Sequence, residues 1–122
     1  MHFQGEKPIF LQLAEALEAG ILSGAYPEGS QVPSITEYAA TYQINPATAL
    51  KGINQLVHAG LLYKKRGVGM FVAEGAQEAL RKQRSEDFYH DYIEKVVREA
   101  KNLGITLAQL TDLIKRGFDD VY

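Results

Sequence analysis

The sequence predicts a mainly α-helical fold with one small β wing, and three observations predict it. Two helix-start signals follow closely on one another, at Ser34 and Asn45. Directly after them come two short strand-like runs separated by Arg66-Gly67-Val68-Gly69. From Ala76 onward, apolar residues recur with helical spacing and no strand signal returns. Two short helices joined by a tight turn and closed by a hairpin are a winged helix-turn-helix, here followed by a two-helix tail. The expected division is residues 1–75 for the winged unit and 76–122 for the tail.

The first helix should open at Pro8, which suits a first turn because its missing N–H has no helical partner there. Ile9, Leu13, Leu17 and Ile21 then recur every four residues on one face. Ser23-Gly24 ends it, and Tyr26-Pro27-Glu28-Gly29 is a turn cluster. Ser34-Ile35-Thr36-Glu37 matches the S-x-x-E capping box and opens a short helix to Tyr42 that buries Ile35, Tyr38 and Ala39. Asn45 as N-cap and Pro46 at the first helical position open the next, which runs to about residue 59. Its apolar side is expected to be Leu50, Ile53, Leu56 and Val57, with Gly60 as the stop. Residues 61–65 and 70–73 read as the two strands of the wing.

The tail reads as one long helix over residues 76–103. Tyr89, Ile93, Val96, Ala100 and Leu103 are spaced 4, 3, 4 and 3, a heptad seam. Gly104 closes it, and Thr106-Leu107-Ala108-Gln109 is a second capping box, opening a helix through Leu107, Leu110 and Ile114 to Gly117. A two-helix hairpin has nowhere to bury both apolar faces. Those eight side chains, from Tyr89 to Ile114, therefore need either the winged unit or a second copy of the chain, and the second copy, in a homodimer, is the expected partner.

Composition excludes several alternatives. Hydrophobic residues at 46% and charged residues at 23% fit a folded domain rather than a disordered chain. No run approaches the roughly 20 apolar residues of a membrane helix, so no membrane partner is expected. The N-terminal Met1-His2-Phe3-Gln4-Gly5-Glu6 lacks a basic-then-apolar signal pattern, and the expected location is the cytoplasm. With no cysteine there is no disulfide, thiolate nucleophile or thiolate metal site. His2, His58 and His90 form no facing pair, and Asp87, His90, Asp91 and Glu94 read as a solvated helical face, so no metal or cofactor is expected. No nucleophile, base and orienting group come together either, which argues against an enzyme.

What remains is recognition. A helix entering the major groove needs short polar side chains near its start and cations where phosphates run. Asn45, Ala47, Thr48 and Lys51 hold those positions, with Asn54 and Gln55 further along. Ser34 and Thr36 begin the preceding helix, whose amides can meet a phosphate. Lys64, Lys65 and Arg66 run up the wing, where Gly67 and Gly69 permit close approach of the backbone. The net charge of -2 is no obstacle. Over residues 30–75, Lys51, Lys64, Lys65 and Arg66 stand against Glu37 and Glu74, a local net of +2 that leaves -4 elsewhere. Counterion release follows the cations that touch phosphates, not the chain total.

Several segments carry a family resemblance. Pro8-Ile9-Phe10, Ile21-Leu22-Ser23-Gly24, Pro27-x-Gly29 and Val32-Pro33-Ser34 resemble the opening of GntR-family transcriptional regulators. So do Ile44-Asn45-Pro46-Ala47-Thr48, Leu56-x-x-x-Gly60-Leu61 and Gly67-x-Gly69-Met70-Phe71-Val72. Asn45-Pro46-x-Thr48 and the short tail with Ala100-Lys101-x-Leu103-Gly104-Ile105-Thr106 are similar to the YtrA subfamily. The resemblance implies a dimeric repressor that binds a double-stranded DNA operator, often of an ABC-transporter operon. The chain departs from the pattern at Thr36, where an arginine is usual, at Val68, often basic, and at Met70, often Thr. Ala47 and Leu50 stand where polar or base-reading side chains are common. Modest affinity per half-site and strong reliance on dimerisation are expected.

Two other readings keep a place. The chain could be a winged-helix protein-interaction module whose DNA face has degenerated, or, less well, a small enzyme. A small-molecule effector of unspecified chemistry is a further partner to weigh, with the aromatic crevice of Phe88, Tyr89 and Tyr92 as its site. The short tail lacks the volume for a large pocket.

Overall fold

The computed structural model describes residues 7–121; His2 lies outside them. The order is α1 (Ile9–Ser23), α2 (Ile35–Tyr42), α3 (Pro46–His58), β1 (Leu62–Lys65), β2 (Gly69–Val72), α4 (Ala76–Phe88), a π-helical stretch (Tyr89–Ile93), α5 (Glu94–Asn102) and α6 (Leu107–Val121). This is the expected mainly α winged helix-turn-helix with a helical tail. Two compact units divide after Lys82. The winged unit reaches past residue 75 because Ala76 and Leu80, on the first two turns of α4, are buried in its core.

The capping signals act as the sequence implies. The Ser34 hydroxyl accepts from the Glu37 amide at 3.1 Å, and the Ser34 amide donates to Glu37 Oε1 at 3.2 Å. Asn45 Oδ1 accepts from the Ala47 amide at 2.8 Å, which satisfies a first-turn donor of α3. At the far end of α3, Gly60 takes a left-handed φ of 76°, and the Leu61 amide donates back to the Leu56 carbonyl.

The core of the winged unit joins Leu13, Leu17 and Ile21 of α1 to Ala49, Ile53 and Leu56 of α3, with Tyr38, Leu62 and Val72 around them. Of the first helix's expected apolar row, Ile9 is exposed and the other three are buried. One expected core position on α3 is overturned: Leu50 points out, 42% exposed, while Ala49 and Gly52 point in. The reason is close approach. A Cβ built at Gly52 would sit 2.8 Å from the Phe10 carbonyl oxygen, so α3 turns its small residues toward α1.

The hairpin pairs β1 and β2 antiparallel, with Leu62 opposite Val72, Tyr63 opposite Phe71, Lys64 opposite Met70 and Lys65 opposite Gly69. A third segment, unmarked in the sequence, docks on β2. The Val32 amide donates to the Met70 carbonyl at 2.9 Å, the Val72 amide to the Ser30 carbonyl at 2.9 Å, and Gln31 bridges Phe71. It covers the free edge of β2 and ties the wing to the chain entering α2.

In the second unit, the expected single helix is interrupted. The Glu94 amide bonds the Tyr89 carbonyl five residues back, so the stretch winds as a π-helix. One extra residue in a turn rotates the segment before it by about 100° against α-helical spacing. Gly104 (φ 71°) and the Ile105 amide, bonded to the Ala100 carbonyl at 2.8 Å, close α5. The Thr106–Gln109 capping box forms in both directions, at 2.9 and 3.2 Å. Helix α6 then runs through Gly117, the expected stop, to Val121. A helix with its apolar stripe extending to Phe118 and Val121 gains nothing by ending at a single glycine.

Candidate nucleic-acid interface

Helix α3 presents a stripe opposite its buried face. With Ala49, Gly52, Ile53 and Leu56 inward, residues at helical spacing from Ala47 (Lys51, Asn54 and His58) fall on the outer side. Burial agrees: Ala47, Lys51 and His58 are exposed and Asn54 is half-exposed. Leu50 sits one helical step from Ala47 and from Asn54 on this same side. Asn45 and Pro46 are exposed at the start of the helix, and Thr48 is half-buried on its flank.

Lys51 does not extend freely. Its Nζ lies 4.1 Å from the centroid of the Phe10 ring, a cation–π contact that crosses from α3 to α1. Nothing in the spacing around Lys51 marks this. The available signal was an aromatic residue in the first turn of a helix that must pack on α3.

The wing has two unlike faces. Leu62 and Val72 point into the core, with Met70 packed against it. On the other face Tyr63 and Phe71 stack at 5.9 Å, and the Lys65 ammonium lies 4.4 Å from the Phe71 ring. Lys64, Lys65 and Arg66 are all exposed. Gly67 has φ 77° and Gly69 φ 145°, both in the range that favours glycine, so the tight turn needs them. Gln31 holds the tip: its Nε2 donates to the Val68 carbonyl at 3.0 Å, and a Cβ at Gly69 would collide with it. Val68 itself projects, 60% exposed. The role of Gln31 was not visible in sequence, because its partner lies 37 residues away.

Thr36 is exposed on the first turn of α2 and Ser34 is half-buried at its cap. The capping box sets the Glu37 carboxylate against the Ser34 amide. A phosphate approaching this terminus therefore meets a negative charge first, which weakens the site expected there.

In the tail, the eight expected pairing residues divide by burial. Ala100 is buried, Ile93 and Leu110 are half-buried, and Tyr89, Val96, Leu103, Leu107 and Ile114 are exposed. Leu107 and Phe118 are 81% and 80% exposed. Phe88 and Tyr92 are in contact at 5.5 Å, with Tyr89 packed edge-on to the His90 ring. His90 Nδ1 is 2.9 Å from Glu94 Oε1, and no cluster of metal-binding side chains occurs among the described residues. No described helix is long and apolar enough to cross a membrane.

A family model described as "Bacterial regulatory proteins, gntR family" matches residues 10–72, from the second residue of α1 to the last of β2. The chain belongs to the gntR family. Its members are DNA-binding transcription factors and not enzymes. The HTH-type transcriptional regulator YhcF of Bacillus subtilis (strain 168) is 28% identical over 113 residues, covering 93% of this chain and 92% of YhcF. The repressor NagR of the same organism is 35% identical over 75 residues, 62% of this chain but only 31% of NagR. A solved GntR-family regulator from Bacteroides thetaiotaomicron matches with a TM-score of 0.77 at 30% identity, over 93% of this chain and 99% of its own. The structure of AraR(DBD) in complex with operator ORX1 matches with a TM-score of 0.56 at 31% identity, over 59% of this chain and 93% of that one. Both the gntR-family fold and the short helical tail thus have counterparts.

Proposed function

We propose that the chain is a homodimeric transcriptional repressor in which each α3 enters the major groove of a palindromic operator while the wing grips flanking backbone. The observation that carries this reading is the outward stripe of α3, with Lys51 at its centre, together with the exposed Lys64-Lys65-Arg66 of the wing. Ser34, Thr36, Asn45, Ala47, Thr48, Gly67 and Gly69 complete the contact surface. The match to AraR(DBD), solved with its operator, supports the same use of the fold.

The tail pairs the subunits. No residue of α6 is fully buried, and Leu107, Ile114 and Phe118 of its apolar stripe stay exposed while Leu110 is half-buried. An exposed stripe of this kind is costly in water and marks an interface. A second copy presents an identical stripe, which a two-fold axis makes self-complementary. Two finer assignments rest on the resemblance, the YtrA subfamily, from Asn45-Pro46-x-Thr48 and the short tail, and an ABC-transporter operon as target; a cytoplasmic location rests on the absence of a signal pattern and of cysteine. An effector, if one acts, would bind the tail beside Phe88, Tyr89 and Tyr92 and change the spacing of the two reading heads.

A gel-shift titration on DNA upstream of the gene, paired with light scattering on the eluting protein, tests both parts. Retarded DNA and a dimeric mass at micromolar concentration support them. A monomer under those conditions contradicts the tail's role, and no retardation at low salt contradicts the DNA reading. The rival, a protein-interaction module, draws on one observation: Leu50 and Val68 are apolar and exposed on the proposed DNA face. A dimer that ignores DNA but retains a protein partner would favour it.

A further inference from the structure

The exposure of Leu50 has a second explanation, one that rests on α3 being the helix that enters the groove. The outer side of α3 carries a single lysine and no arginine. The commonest specific base contact, a bidentate cation on the O6 and N7 of guanine, is therefore scarce here. What the helix offers is an apolar patch, Ala47 and Leu50 one helical step apart, bordered by the Asn54 amide and the Lys51 ammonium. The major-groove edge of an A·T pair offers the matching chemistry. Thymine carries the groove's one apolar group, its C5 methyl, and adenine presents N6 and N7, which an asparagine amide pairs in two hydrogen bonds. The flanking charges suit DNA rather than an apolar protein surface: Lys51 lies on the same face, and Lys64, Lys65 and Arg66 lie on the wing of the same unit.

We infer that Leu50, with Ala47 beside it, is a specificity-determining residue that reads thymine methyl groups, so each operator half-site presents thymine to α3. Asn54 reads the adenine of the same or the adjoining pair. Removing a methyl buried in this contact weakens binding by about fourfold.

The test uses the full chain and a duplex enriched by it from a random-sequence pool. Binding is followed by fluorescence anisotropy on the enriched duplex and on versions with each half-site thymine replaced by deoxyuridine, which lacks only the methyl. The expected result is a loss of about fourfold at one or two positions per half-site, and an L50A chain that binds thymine and uracil duplexes equally. Uracil duplexes that bind as tightly as the parent overturn the inference alone, as does L50A keeping the discrimination. If the chain enriches no duplex, both the inference and the reading of α3 fall.

Discussion

The Nζ of Lys51 lies 4.1 Å from the centroid of the Phe10 ring, so the lysine of α3 is held by a side chain from α1. An exposed lysine loses rotamer entropy when a phosphate fixes it, and a ring that already restrains the ammonium lowers that loss. Substituting Phe10→Leu keeps an apolar side chain and removes the ring face. DNA affinity should fall about two- to fivefold, the equivalent of a cation–π contact of about 0.5–1 kcal/mol. Anisotropy checks this, with a thermal melt as the control. Unchanged affinity would show that the contact does not persist on DNA.

Gly52 sets how closely α3 lies on α1. Because the atom that a Cβ would meet is the Phe10 backbone oxygen, no side-chain rotation relieves the clash. Gly52→Ala should lower stability by about 1–3 kcal/mol, as overpacked cores do, and should weaken DNA binding by moving the reading helix. Urea unfolding reads the first effect. A variant as stable as the parent contradicts the packing described for this helix pair.

Gln31 restrains the wing through the Val68 carbonyl. Gln31→Ala leaves the buried core untouched and frees the tip. Amide hydrogen exchange at residues 66–69 should quicken, and DNA affinity should drop while the unfolding midpoint shifts little, since an exposed hydrogen bond contributes about 0.5–1.5 kcal/mol. Unaltered exchange in the wing would contradict the restraint.

Tyr38 gives the fold a dependence on alkaline pH. Burial, and then its hydrogen bond with Tyr26, push its phenol well above the ordinary tyrosine value. The unfolded chain releases this proton near pH 10 while the folded chain keeps it. The stabilisation is full below about pH 10 and is lost as the pH rises beyond it, because the folded state then binds more protons than the unfolded one. Urea midpoints should therefore fall more steeply between about pH 9 and 11 for the parent than for Tyr38→Phe. Parallel slopes for the two chains would contradict a buried, neutral Tyr38.

Local chemistry was the legible part of this fold. Ser34 with Glu37, Asn45 with Ala47, and Thr106 with Gln109 mark helix starts through side-chain-to-backbone bonds a few residues long, and each forms. Packing was less legible. Leu50, Ile53 and Val57 make as good an apolar stripe as Ala49, Ile53 and Leu56, and only the demand of α1 for small residues at the contact decides which turns inward. The third strand segment at Ser30–Val32 and the hold of Gln31 on the wing join residues far apart in sequence, where no local pattern can reveal them. The π-helical turn at Tyr89–Ile93 left no mark either, since a heptad pattern presumes the regular winding that it breaks. The lysines and glycines of the candidate site were readable by position. The aromatic rings that hold Lys51 and Lys65 were not.

Under the proposed function, Lys51 of α3 and Arg66 of the wing meet DNA phosphates. The most direct measurement is the dependence of operator affinity on salt for the parent chain, Lys51→Ala and Arg66→Ala. Each lost phosphate contact should reduce the slope of log K against log salt by about 0.9 per half-site. Slopes identical to the parent's in both variants, or no binding by the parent at low salt, would contradict it.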